Sequence, residues 1–296
     1  MAVACCCPMT DLINAPFRLD QPPDPDARLP GYIRAAGRIA AEFRPTPLGT
    51  RAMRLAEGGG YRLMFPHGRR CEAMLLNTAG GVAGGDRLDV DLAFGDGTEA
   101  VVSSQSAEKI YRADGDAARM RIGLSVGAGA RLSWLPLETI LFNGARLVRR
   151  IDVELADTCR FLMCEMAVLG RIAMGEQPTA IHLDDRWRVR GGGRLVHAEA
   201  TRIDGDATRL LAGRATGGGA RAIATLVYFA DDAAARLEPL RQRLDGLGPD
   251  LDWGASAWNG MLKARLVAVD PAAARRAVAA VLAVFDDVEI PRVWGL

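Results

Sequence analysis

Leu88-Asp89-Val90-Asp91-Leu92-Ala93-Phe94 runs through Gly95-Asp96-Gly97 into Ala100-Val101-Val102, and this stretch decides the fold. Strict alternation of apolar and polar residues describes a half-buried strand, the small residues a turn, and the second apolar run another strand. The pattern returns downstream. Met120 to Val126 turns at Gly127-Ala128-Gly129 into Leu132-Ser133-Trp134, and Ile151 to Leu155 turns at Asp157-Thr158 into Phe161-Leu162-Met163. A fourth copy is expected at Trp187-Arg188-Val189, Gly191-Gly192-Gly193 and Leu195-Val196. Successive turns lie roughly 30 to 35 residues apart, the spacing of stacked, solenoidal architectures. The predicted fold is mainly β, with stacked strands in a β-helix-like arrangement and two α-helices near the C-terminus.

The same stretch carries a decoy. Gly95-x-Gly97-x-x-Ala100 fits a relaxed dinucleotide fingerprint, but it leads into Val101-Val102-Ser103 where that fingerprint requires a helix. A β-hairpin is the better reading.

Working outward, strands are expected at Gly37 to Phe43, Tyr61 to Phe65 and Glu72 to Leu76, and helical periodicity is missing from 31 to about 230. Residues 1 to 30, with Pro22-Pro23-Asp24-Pro25-Asp26, read as a flexible leader, and 31 to 296 as one β-rich domain. Towards the C-terminus, a helix from Asp232 to about Leu247 would place Leu237, Leu240, Leu244 and Leu247 on one face. A second opens at Asp270-Pro271, an N-cap followed by proline at the first helical position, with Val278, Val281, Leu282 and Phe285 as its core contacts.

The chain has 296 residues, 49% of them hydrophobic, and a formal net charge of +1 from 37 basic and 36 acidic residues. That balance gives no reason to expect nucleic acid or an anionic membrane as a partner. No apolar run approaches the roughly 20 residues of a membrane span, and no charged segment precedes an apolar core at the N-terminus, so a cytoplasmic location is expected. The six cysteines show no Cys-x-x-Cys spacing and are expected as thiols. Cys5-Cys6-Cys7 is compatible with a soft metal or, the preferred reading, with incidental thiols on the leader.

Just before the deciding stretch lies Leu76-Asn77-Thr78-Ala79-Gly80-Gly81-Val82-Ala83-Gly84-Gly85-Asp86-Arg87-Leu88. Four glycines in six positions imply left-handed angles or a close neighbour that a Cβ would forbid. No Lys-Ser or Lys-Thr completes a phosphate loop, and a strand follows where phosphate binding needs a helix N-terminus. His67, His182 and His197 have no ligand spacing, and no nucleophile elbow occurs. The chemistry left is in carboxylates set among apolar or glycine neighbours: Asp86, Glu138, Glu165 and Glu176. A charge in such a setting needs a counter-ion, either a cation or an arginine, with Arg146, Arg149, Arg150 and Arg171 close in sequence. A strand can also turn such a glutamate to solvent.

Taken together, Leu76 to Leu88, Ser104-Gln105-Ser106-Ala107-Glu108-Lys109-Ile110-Tyr111-Arg112, Trp134-Leu135-Pro136-Leu137-Glu138-Thr139-Ile140-Leu141-Phe142, Leu169-Gly170-Arg171 and Gly175-Glu176 resemble the UreD (UreH) family of urease accessory proteins. Ser256-Ala257-Trp258-Asn259-Gly260 and Pro291-Arg292-Val293-Trp294 are also similar to that family, and the match spans about residue 31 to the end. The resemblance implies a β-helix-like fold with two helices and a role as a chaperone and not an enzyme. It also implies binding to the urease apoprotein, recruitment of UreF and the GTPase UreG, and insertion of two nickel ions, with no tightly bound cofactor. Family models include a passage for nickel through the protein. Oxygen ligands that keep some waters suit transit of a divalent cation, and on this reading Asp86, Glu138, Glu165 and Glu176 are candidates for weak, transient nickel contacts. The family often has an aspartate where this chain has Asn143. A carboxylate-dependent enzyme and a plain β-solenoid binding scaffold are the alternative classes; the enzyme requires two carboxylates converging in one pocket.

Overall fold

In the computed structural model, residues 34–68, 70–285 and 290–295 are described. The predicted leader and Cys5-Cys6-Cys7 lie outside them. The chain opens with β1 (Ala36–Thr46) and β2 (Gly49–Gly58), an antiparallel pair, followed by β3 (Tyr61–Met64) and β4 (Cys71–Asn77), a second one. Three coils of a solenoid follow: β5 (Arg87–Phe94), β6 (Glu99–Ser104) and β7 (Glu108–Ile110); β8 (Ala118–Val126), β9 (Arg131–Leu135) and β10 (Thr139–Leu141); then β11 (Arg146–Leu155) and β12 (Arg160–Leu169). β13 (Ile181–Gly191) adds a last parallel strand.

Equivalent strands of successive coils pair in parallel, so like residues stack. Val90, Ile122, Ile151 and Trp187 are in register on one side, Ala100, Leu132 and Phe161 on the second, and Ile110, Leu141 and Leu169 on a short third side. The alternation read from the sequence is the physical cause, since each ladder sends every second residue into the space between the sheets.

Two turn readings are corrected. Gly95–Gly97 does not close a hairpin: both edges of β5 are occupied, by β1 and β8, so β6 crosses to the other sheet, where it pairs with β4 and β9. Gly97, Gly129 and Thr158, the equivalent positions of the three turns, all have φ between 60° and 66°. The fourth copy departs in the opposite sense. Gly191–Gly193 folds β13 back onto β14 (Arg194–Gly205) in the same sheet, which ends the coiling with a true hairpin.

The first sheet therefore has the order β14-β13-β11-β8-β5-β1-β2. After the single-turn α1 (Ala207–Leu210), capped by Asp206 and too short to leave a periodic signal, β15 (Ala222–Phe229), β16 (Leu251–Trp258) and β17 (Met261–Ala268) extend the second sheet antiparallel. Its order is β16-β17-β15-β12-β9-β6-β4-β3.

Helix α2 (Leu237–Asp245) is shorter than expected, because residues 231–236 form turns in which Asp232 accepts from Tyr228 Oη and Arg236 Nε. Leu240 and Leu244 are buried, whereas Leu247 lies beyond the helix and is exposed. Helix α3 (Pro271–Leu282) starts where predicted, with the Asp270 carboxylate accepting from Ala272 N and Ala273 N at 2.9 and 3.1 Å. Among the described residues, no helix is long and apolar enough to cross a membrane.

Two cores result. One fills the space between the sheets; the other lies between the outer face of the second sheet and α2, α3 and Trp294, whose indole donates to Leu135 O at 2.9 Å. β12 is buried on both faces, which accounts for its almost unbroken apolar run.

Candidate functional site

The glycine-rich loop is built by two different demands. Gly80 and Gly85 have φ of 76° and 84°, the left-handed region. Gly81 and Gly84 are needed for space: a Cβ would stand 2.5 Å from the Tyr111 ring and 2.4 Å from Ala113 Cβ, on the next coil. Asp86 closes the loop, its two carboxylate oxygens accepting from Ala35 N and Ala83 N, each at 2.8 Å. Close coil-to-coil approach and two amide caps thus explain the motif.

Inside the solenoid, three charges occupy inward positions that alternation would give to apolar residues. Arg149 follows Leu147 and precedes Ile151; Asp185 lies between Leu183 and Trp187; Glu165 shares the phase of Phe161 and Met163. The Arg149 guanidinium binds Asp185 through two bonds of 2.9 and 2.6 Å and Glu165 Oε2 at 2.6 Å, and it reaches Thr139 Oγ1 at 3.3 Å. Trp134 Nε1 donates to Glu165 Oε1 at 2.7 Å, and Trp187 Nε1 to Asp185 at 3.1 Å. Burial works against the guanidinium charge, but Asp185 and Glu165 outweigh it and hold Arg149 firmly protonated. Burial pushes the Glu165 carboxyl above the usual range, with Arg149 and Trp134 pulling it back. Glu165 therefore faces the interior, ion-paired, and is not turned to solvent.

Beside this network lies a cavity of ≈ 80 Å³, lined by Glu165, Arg149, Thr139, Glu108, Tyr61 and Asn77 among others. It has room for a few waters, each occupying about 10–15 Å³ of such a space. Glu108 stands apart electrostatically. Its carboxylate accepts from Asn77 Nδ2 at 2.9 Å and from Tyr61 Oη at 3.5 Å, both neutral donors, and Asn77 also donates to Tyr61 Oη at 2.9 Å. Burial raises the Glu108 pKa and also that of Tyr61, which stays protonated. Arg149 has two carboxylates to neutralise, so Glu108 is the wall carboxylate with no arginine of its own.

The remaining candidates are elsewhere. Glu138 pairs with Arg275 Nη1 of α3 at 3.3 Å. Glu176 binds Arg171 at 2.9 and 3.2 Å and caps its backbone N–H at 2.8 Å. Of Asp86, Glu138, Glu165 and Glu176, only Glu165 lines the cavity. Asn143, at the position where the family often has aspartate, accepts from Ala180 N at 2.9 Å. Among the described residues, no group of three or more His, Cys, Asp or Glu side chains is placed to hold a metal ion.

Sequence reasoning missed Glu108, Tyr61 and Asn77 as a group, and Asp185 altogether. Asp185 could have been found as a charge in the inward phase of an alternating strand, and Glu108 was already inside a quoted motif. Asn77 likewise lay inside the quoted run from Leu76 to Leu88, whereas Tyr61 leaves no such signal, since only the antiparallel pairing of β3 with β4 brings it opposite Asn77.

Motif segments also stack on one another. Val82, Ile110, Leu141 and Leu169 form one buried ladder on the third side, and the next residues outward include Tyr111, Phe142 and Arg171. Tyr111 meets Phe142 edge-on at 5.3 Å, and Arg171 lies 4.6 Å from the centre of the Phe142 ring. Four of the quoted motifs, at 76–88, 104–112, 134–142 and 169–171, are therefore neighbours on the third side of the solenoid.

Comparison with known proteins gives the family. The family model described as UreD urease accessory protein matches residues 35–295. Urease accessory protein UreD 2 of Methylorubrum populi is 49% identical over 248 residues, covering 83% of this chain and 84% of the relative. The UreD of Rhodopseudomonas palustris is 44% identical over 265 residues, 88% of this chain and 94% of the relative. That of Azorhizobium caulinodans is 42% identical over 272 residues, 91% and 100% of the two chains. With the match running from the first strand through the C-terminal turn, the chain belongs to the UreD family of urease accessory proteins.

Proposed function

We propose that the protein is a non-catalytic, cytoplasmic chaperone that binds the urease apoprotein, recruits UreF and through it UreG, and passes nickel through its interior during assembly of the dinuclear site. Family membership supports the maturation role. The observation that carries the transit step is Glu108, a carboxylate on a water-sized cavity whose hydrogen-bond donors are both neutral. A partly buried carboxylate with only Lys109 supplying positive charge nearby favours a further cation, and a site of one carboxylate with neutral oxygens and waters would hold nickel loosely enough to release it. Glu165 shares the cavity, while Asp86, Glu138 and Glu176 serve as contacts outside it. The nickel ion is cargo on this reading, not a resident cofactor.

The test is co-expression of urease with its accessory proteins, carrying Glu108→Gln or Glu165→Gln in this chain, followed by measurement of urease nickel and of the co-purified complex. Loss of nickel with an intact complex is expected. Full nickel content in the intact Glu108→Gln complex would remove the cavity from the path, and the same assay on Asp86→Ala, Glu138→Ala and Glu176→Ala decides the outer contacts.

One observation favours a second reading, an acid–base enzyme: Glu108 and Glu165 line one cavity, and burial raises both pKa values. Both Glu165 oxygens are already engaged, by Trp134 and Arg149, which leaves it poorly placed to take a proton from a substrate. Turnover by the isolated chain would restore the enzyme.

A further inference from the structure

Where the coiling stops, the two sheets end out of step. Strand β14 closes the first sheet, and its Glu199 binds Lys263 and Arg265 of β17 on the facing sheet. The second sheet continues one strand further, to β16. A step is left, with an open groove of ≈ 720 Å³ bordered by Ala200–Ile203 of β14 and Asp252–Gly254 of β16. Among the described strands β14 pairs only with β13 and β16 only with β17, so each keeps one edge of unpaired backbone N–H and C=O groups. Such an edge is a template for an added strand.

The floor of the step is shaped for one. Trp253, Ala255 and Ala257 pack towards the helix-covered core, so Asp252, Gly254, Ser256 and Trp258 turn to the opposite, exposed face. Gly254 and Ser256 leave that floor low in the middle, and a Cβ at Gly254 would meet nothing within 4 Å. Chemistry differs between the two ends. Towards residues 252–254 the groove carries a small excess of positive charge: Arg265 and Lys263 share the single Glu199 carboxylate, and Arg214 has no ion-pair partner among the described residues, against the one exposed carboxylate of Asp252. Beyond the groove, towards Trp258, the same face is apolar. His197 packs on Phe229, which pairs with Met261 and so lies level with Trp258, and the neighbouring Leu195 and Val196 are exposed.

We propose that this step is a docking site for an extended segment of a partner protein, which adds to β14 as the next strand of the first sheet and lies over β16. Its acidic side chains face Arg265, Lys263 and Arg214, and its apolar ones face Trp258. The partner's identity as a component of urease assembly rests on the reading above; the strand addition does not.

The full chain is mixed separately with apo-urease, with UreF and with a fluorescein-labelled peptide that has glutamate at the inward positions of one half and valine at those of the other, and amide hydrogen exchange and affinity are measured. Slowed exchange over 194–205 is expected with a binding probe. Gly254→Trp, on an exposed face where a Cβ meets nothing within 4 Å, and Arg214→Glu are each expected to keep the melting temperature and weaken binding by about tenfold or more. Binding without protection of 194–205, or unaffected by Gly254→Trp, overturns the site, as does failure of all three probes. A lysine–valine peptide that binds equally well overturns the charge assignment. Concentration-dependent self-association protecting 194–205 would make the occupant a second copy and refute the partner. If apo-urease and UreF both fail while the acidic peptide binds the step, the assembly role falls and the strand site stands.

Discussion

The two cores of this protein are built to different rules. Under α2 and α3 the packed side chains are mainly apolar, with Leu240, Leu244, Val278, Val281 and Phe285 packed on Cys164, Met166, Tyr228 and Leu262. Between the sheets, the same alternation of strands admits Arg149, Glu165 and Asp185, and a cavity with Glu108 on its wall. Burying charge stabilises less than packing carbon, and replacing buried ion networks with apolar residues is often neutral or better. A fold selected for stability alone gains little from the second arrangement. Both cores pack many apolar side chains, and the buried charges of Arg149, Glu165 and Asp185 lie between the sheets.

Breaking the network should have the largest effect. Arg149→Ala leaves two buried carboxylates without a counter-ion, and a loss of about 3–5 kcal/mol in urea unfolding is expected; a loss under 1 kcal/mol, as at an exposed pair, would show that the interior is wetter than the contacts indicate. In the apolar core, Leu240→Ala should cost about 3 kcal/mol by cavity formation. Its effect should not vary with pH, and this independence separates the two cores experimentally.

Smaller changes sharpen the contrast. Asp86→Ala removes two charge-assisted bonds from the glycine loop and should cost about 2 kcal/mol, with faster amide exchange at Ala35 and Ala83. Glu108→Gln should have the smallest effect on stability and the clearest pH signature. Burial raises the carboxyl's pKa in the fold above its ordinary 4.5, so its stabilising share is complete below that value and is lost as pH rises through the folded pKa. Glutamine cannot ionise, and the variant should gain on the wild type as pH rises above the ordinary carboxylate range. Equal pH profiles would mean that the carboxylate is compensated after all.

Much of the fold was legible because strands and turns are local. The repeat from Leu88 onward, the Asp270-Pro271 cap and the apolar faces of α2 and α3 all follow from residue spacing. Its errors have a common source: a glycine turn between two strands reads alike whether it closes a hairpin, as at Gly191–Gly193, or carries the chain to a facing sheet, as at Gly95–Gly97. The local residues satisfy both geometries, and only the occupancy of the strand edges separates them.

The candidate site was legible only in part. That Asp86, Glu138, Glu165 and Glu176 need partners follows from charge among apolar neighbours, and nearby arginines supply two of them, Arg149 for Glu165 and Arg171 for Glu176. Asp86 turned instead to backbone amides, and Glu138 to Arg275, 137 residues away.

By itself, then, the sequence determined the stacked strands, the helical pair and the family, since periodicity, capping and motif order are properties of neighbours along the chain. The tertiary structure alone decided that Glu108 shares a cavity with Glu165, that Arg149 is divided between two carboxylates, and that β14 and β16 end out of step. The physical reason is that alternation sets which residues share a face, while the charge a buried group must balance depends on what stands across the core from it.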